Sequence, residues 1–161
     1  MKRTVKFKVN IYIETDAPGM RRQYRGYGAV VEFLRSNGIP EKRDAYGLED
    51  ATGNQIMLIA LAEALKLLAK PCDITIYMDN RYVSEHIRNG SVYEWLDTGW
   101  KTVRNEPVKN AEEWKEILRL IEGHDITFAY AGKNPHRDKM QKEIKDIRDR
   151  GIQWKQQKLE Q

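Results

Sequence analysis

The sequence predicts one α/β domain built on a five-stranded mixed sheet flanked by helices. Its first three strands run antiparallel, and its fourth and fifth run parallel to the first. Three observations predict it. Val5, Phe7, Val9, Ile11 and Ile13 alternate with Lys6, Lys8, Asn10, Tyr12 and Glu14, the period of a strand with one apolar face. Thr52 to Ala69 is apolar on nearly all sides, as a helix buried against a sheet must be. The elements follow in the order β-β-β-α-β-α-α-β-α. A leading meander therefore passes through a buried helix into a parallel strand, which needs such a crossover.

Each element has its own signal. Pro18-Gly19 turns the chain after the first strand, with Arg21, Arg22 and Arg25 around the turn. Residues 26–33, Gly-Tyr-Gly-Ala-Val-Val-Glu-Phe, read as a second strand, and Ser36-Asn37-Gly38 as its turn. Residues 43–46 form a short third strand. Pro71 stops the buried helix, and residues 74–78 form a fourth strand that ends at Asp79. A short helix follows and stops near Gly90. Asn110-Ala111-Glu112-Glu113 resembles a capping box opening a helix to about Ile121. Residues 126–131 form the fifth strand. Asn134 as N-cap and Pro135 at the first position start the last helix, and Gly151 ends it.

A chain of 161 residues, 40% of them hydrophobic, suits a single domain, here residues 1–151 with a polar tail over 152–161. The net charge of +4, from 28 basic and 24 acidic side chains, permits a polyanionic partner without requiring one. The single cysteine, Cys72, excludes an internal disulfide and a thiolate metal cluster, and reads as a small buried hydrophobe. No signal-peptide core is present, and the longest apolar run, Ile56 to Ala62, is too short to span a bilayer. The expectation is a monomer in the reducing cytoplasm, with no membrane partner.

Three acids stand at element ends: Asp16 after the first strand, Asp79 after the fourth, and Asp138 one turn into the last helix. Clustered carboxylates can hold Mg²⁺ or Mn²⁺, since hard cations take oxygen ligands. Two such ions about 4 Å apart can activate a water and stabilise the leaving oxygen of a phosphodiester. Taken singly, each Asp is as well explained by ending or capping its element.

Over residues 9–150 the chain resembles a divergent type 1 ribonuclease H. Ile13-Glu14-Thr15-Asp16 followed by Gly26-Tyr27-Gly28-Ala29 is similar to that family's first hairpin, whose strand ends in Thr-Asp. Met78-Asp79-Asn80-Arg81-Tyr82-Val83 is similar to its Asp-Ser-x-Tyr-Val segment. The run from Trp95 to Thr102, then Pro107-Val108-Lys109-Asn110 and Trp114, resembles its substrate handle. Asn134 and Asp138 keep its Asn-x-x-x-Asp spacing. The resemblance implies a ribonuclease H-like fold, with Asp16, Asp79 and Asp138 as ligands of two Mg²⁺ or Mn²⁺ ions. It implies Asn54 as a contact to the substrate, an RNA–DNA hybrid.

Three departures qualify it. The family carries a catalytic Glu on the first helix, where this chain has Met57, and a thioether does not replace a carboxylate on a hard ion. Glu63, six residues on, lies about 120° away around the axis. Glu14 shares a strand face with Asp16 at about 7 Å and can supply the missing acid, as can Glu49 or Asp50 ahead of the helix. The family's loop histidine is absent, and His136 lies nearby. The handle carries Leu96, Asp97 and Thr98 where the family has basic residues. Phosphate attraction then falls to Arg21, Arg22, Arg25, Lys101, Arg104 and Lys109, while Trp95, Trp100 and Trp114 either stack on sugars and bases or pack the handle.

Two functions are expected from this pattern. The first is a metal-dependent endonuclease cutting the RNA strand of a hybrid, with Asp16, Asp79, Asp138, Glu14 and Asp50 as the catalytic set. Asn54, Trp95, Trp100, Lys101 and Lys109 would bind the substrate. The second is a non-catalytic nucleic-acid-binding or scaffold module of the same fold.

Overall fold

The computed structural model describes residues 6–16 and 18–159, with the backbone alone for Ala131 and 152–159. In chain order it contains β1 (Phe7–Thr15), β2 (Gln23–Phe33), β3 (Glu41–Ala51), α1 (Gly53–Leu65), β4 (Cys72–Tyr77), α2 (Arg81–Arg88), α3 (Ser91–Asp97), α4 (Ala111–Ile121), β5 (Asp125–Ala129) and α5 (Arg137–Leu159). Residues 131–133 form a single 3₁₀ turn before α5. The five strands make one sheet in the order β3-β2-β1-β4-β5. β1 pairs antiparallel with β2 and parallel with β4, and β4 pairs parallel with β5. The mixed sheet expected from the sequence is therefore the sheet observed, although Val5 lies outside the described residues.

Alternation along β1 divides the two layers. Val9, Ile11 and Ile13 join Ile56, Leu58, Leu61 and Leu65 of α1, and Trp114 and Ile117 of α4, in the main core. Tyr12 points to the other face, where Val30 and Met140 close a smaller cluster under α5. The Thr52 hydroxyl caps α1 by accepting from the Gln55 amide. Gly53 opens the helix because a Cβ there would collide with the Gly19 carbonyl, so the loop at 18–20 lies directly on the first turn.

Several boundaries differ from the sequence-based expectation. β3 extends over 11 residues instead of four. It is the open edge of the sheet and carries Glu41, Lys42, Arg43 and Asp44, so its polarity hides the strand pattern. α3 is an extra helix, set off from α2 by Gly90 at φ 80°. Asn110 sits at φ 59° with no side-chain cap, and Glu113 reaches Gln55 Nε2 on α1 (2.6 Å) instead of closing a capping box. Asn134 does not cap α5. Its Oδ1 accepts from the His136 amide, and His136 O receives the first helical amide, that of Met140. Gly151 does not end α5, which runs on to Leu159; a Cβ there would strike Leu48 of β3, so the glycine admits close packing.

The α5 face contains a polar cluster. His136 Nε2 lies 2.9 Å from Glu32 Oε2, and the His136 ring meets Tyr12 edge-on. Burial opposes ionisation of Glu32, yet hydrogen bonds from His136, Tyr12 and Asn10 outweigh it and hold the carboxyl below its ordinary value. A depressed folded-state value gives stability that is complete above the unfolded carboxyl's range and disappears as pH falls through the folded one. The wild type's resistance to urea should therefore fall as pH drops below the ordinary carboxyl range. Glu32→Gln should flatten that dependence; an unchanged acid profile in the variant would refute the assignment.

Candidate active-site pocket

The end of the sheet where β1 and β4 finish holds a pocket of about 470 Å³. Its position follows from the register. Tyr12 of β1 lies beside Tyr77 of β4 where their parallel pairing ends, and Glu14 and Asp79 each follow two residues later. Both acids line the pocket, together with Asn54 and Met57 of α1, Asn80, Arg137 and the loop at 18–20. Asn80 is fixed in two ways: its Oδ1 caps α2 at the Val83 amide (2.9 Å), and its Nδ2 donates to Asn54 Oδ1 (3.1 Å).

Glu14 is buried and both of its oxygens are engaged. Asn134 Nδ2 donates to Oε2 at 3.1 Å, while Arg137 Nε (3.1 Å) and Gln141 Nε2 (3.0 Å) converge on Oε1. Arg137 and Gln141 are four residues apart and so share one stripe of α5. Asp138 is turned about 100° from Arg137 around the axis, and it is exposed and outside the pocket.

The three aspartates expected as metal ligands do not come together. Asp16 is two residues beyond the pocket acid, accepts from the Gly26 amide (2.7 Å) and pairs with Arg148 Nη1 (3.2 Å). It thereby ties β1 to β2 and to α5. Asp79 alone of the three lines the pocket. Among the described residues, no three His, Cys, Asp or Glu side chains could hold a metal ion together. The donor set at the pocket is two carboxylates, one already satisfied by three donors, beside a thioether at Met57 and a neutral amide at Gln141. That set does not fit a pair of hard divalent ions.

Of the acids expected to compensate for Met57, Glu14 lies in the pocket and the others lie elsewhere. Glu49 and Asp50 belong to β3, and Asp50 pairs with Arg22 at 3.4 Å. Glu63 pairs with Lys66. His136 lies in the turn just before α5, is not exposed, and is held by Glu32. Arg25 is 1% exposed, donating Nε to Ala51 O and Nη2 to Arg21 O, so it braces the loop and offers nothing to phosphate. In the handle, Trp114 is fully buried and donates Nε1 to the Tyr82 hydroxyl (3.0 Å). Trp95 packs on Trp100 and Trp114 with centroids at 6.4 and 5.7 Å, and His86 fills the same box, burial holding its ring nitrogen below the ordinary histidine range. These rings pack the handle. Lys101, Arg104 and Lys109 are exposed, and Asn54 is in the pocket as expected.

Sequence reasoning passed over Arg137, Gln141 and Asn134 as partners of Glu14, and Asn80 as the partner of Asn54. The available signal was the count of residues along β1 and β4, which sets Glu14, not Asp16, as far beyond the Tyr12–Tyr77 pair as Asp79.

A family model described as RNase H matches residues 8–142. A protein named Ribonuclease H from Lachnoclostridium phytofermentans is 36% identical over 124 residues, 76% of this chain and 78% of that protein. One of the same name from Prosthecochloris aestuarii is 38% identical over 104 residues, 64% of this chain and 68% of that protein. Among solved structures, LC9-RNase H1, described as a type 1 RNase H with the type 2 active-site motif, superposes with a TM-score of 0.67 at 22% identity. That match covers 80% of this chain and 64% of the other. A foamy viral protease-reverse transcriptase in complex with RNA/DNA hybrid gives 0.57 at 17% identity, over 88% of this chain and 20% of that one. At these identities the two structures share the fold.

Proposed function

The chain belongs to the ribonuclease H family, and from that premise we propose that it binds RNA–DNA hybrid at the β1–β4 end of its sheet without cutting it by the two-metal route. The observation that carries this reading is the state of Glu14. Its two oxygens accept from three side chains, one of them a guanidinium, in the place where a pair of ions would need free carboxylate oxygens. Met57 and Gln141 supply no charge to replace it. Binding itself is supported by the Asn54–Asn80 amide pair in the pocket, whose donors and acceptors suit the 2′-hydroxyls of a wide minor groove. The exposed Lys101, Arg104 and Lys109 add attraction to phosphate. The hybrid complex of the foamy viral neighbour supports the choice of ligand.

One observation favours a second reading, hydrolysis of the RNA strand with Mg²⁺ or Mn²⁺. Glu14 and Asp79 line one pocket at adjacent strand ends, and the relatives are ribonucleases H by name. Labelled hybrid separates the two. The wild type should retard hybrid more than DNA duplex and leave it intact in either metal. Cleavage that disappears in Asp79→Asn would establish the nuclease.

A further inference from the structure

We infer that Arg137 is a resident cation in the place of the divalent ion, neutralising the β1–β4–α5 junction without metal. The inference rests on the reading above for its consequence in nucleic-acid binding, but not for the chemistry of the site. A carboxyl at the end of β1, buried to 8% exposure, needs hydrogen-bonding or charged partners in place of water. Asp79, a second acid, lines the same pocket, which makes the need greater. A metal would meet it, and so does a guanidinium: Arg137 Nε reaches Oε1 at 3.1 Å. The neutral amides of Gln141 and Asn134 add one further hydrogen bond to Oε1 and one to Oε2. An incoming hard cation would have to compete with these donors and sit beside a permanent positive charge.

The arrangement also has a mechanical use. Asn134, Arg137 and Gln141 all belong to the turn before α5 or to its first two turns. Glu14 thus anchors the start of α5 to β1, while neighbouring His136 grips Glu32 of β2. In a site emptied by drift alone, Glu14 would gain nothing from three convergent donors.

The test titrates Mn²⁺ into the full chain, reading bound ion by electron paramagnetic resonance and stability by thermal unfolding. The wild type should capture no Mn²⁺ in the micromolar range, and its midpoint should not move in millimolar Mn²⁺. Arg137→Gln should melt several degrees lower and recover part of that loss when Mn²⁺ is added, because Glu14 and Asp79 are then left without a cation. Arg137→Lys, which keeps the charge, should remain insensitive to metal. Micromolar Mn²⁺ binding by the wild type would overturn the inference. So would an Arg137→Gln protein that is folded, unaltered in midpoint and indifferent to Mn²⁺. Hybrid binding followed by fluorescence anisotropy should be equal in EDTA and in Mg²⁺; a tenfold gain with Mg²⁺ would also count against it. If the wild type binds no hybrid in either buffer, the proposed function fails, and the metal titration on the protein alone still decides the role of Arg137.

Discussion

A chain carrying Met57→Glu, Gln141→Asp and Arg137→Asn together should bind Mn²⁺ more tightly than the parent and exceed it in metal-dependent cleavage of hybrid. Met57 is part of the pocket wall, and Gln141 Nε2 stands 3.0 Å from Glu14 Oε1, so new carboxylates at those positions face the two acids already present. Removing the guanidinium clears the centre of the group. Four carboxylates without a cation repel one another, so the variant should unfold more easily than the parent in EDTA. Metal at a hundredfold excess over its dissociation constant should then restore about 2.7 kcal/mol. That is a rise in midpoint of several degrees, absent from the parent. Each substitution alone should do much less, because one added acid leaves Arg137 or the missing fourth ligand in place. A folded triple variant with no Mn²⁺-dependent rise would show that these positions do not converge as the structure places them.

Trp114→Ala should be the most destabilising truncation in the handle, costing about 3–5 kcal/mol. The indole is fully buried where α4 meets α1 and α2, touches Trp95 and His86, and donates its N–H to Tyr82. The cost combines lost burial, the cavity left behind and an unsatisfied hydroxyl. Against a total stability of roughly 5–15 kcal/mol, a loss of that size populates the unfolded chain measurably. Urea unfolding followed by far-UV circular dichroism measures it. Trp114→Phe should lose less, keeping ring contact while giving up the hydrogen bond. A midpoint within error of the wild type in Trp114→Ala would contradict the packing.

What was legible in the sequence was whatever one face of an element encodes by itself. β1, β2 and α1 declare themselves because each has one dominant burial pattern. β3 was visible for only four of its residues, since an edge strand with charges along it shows no clean alternation. The site was harder to read, for two physical reasons. Because strand side chains repeat every two residues, Glu14 and Asp16 share a face, and local sequence does not say which of them reaches the pocket. The Thr-Asp pair points to Asp16; the pairing of β1 with β4 selects Glu14. On α5 the family-like spacing from Asn134 points to Asp138, but the helix starts at Arg137 and presents the stripe of Arg137 and Gln141. A shift of helix start by two residues moves every side chain about 200° around the axis, which is enough to exchange an acid for an amide.

The open edge at β3 bears on how copies of this chain meet. Two such edges aligned antiparallel, with the centre of pairing between Lys42 and Arg43, would set Glu41 opposite Asp44 and Lys42 opposite Arg43. Acid faces acid and base faces base, and like charges placed directly across a strand pair repel. The same four residues that conceal the strand in the sequence thereby discourage continuous sheet between molecules in that register, and Pro40 just ahead of them withholds a donor from the growing ladder. In that register the order of the charges works against a seed for edge-to-edge aggregation.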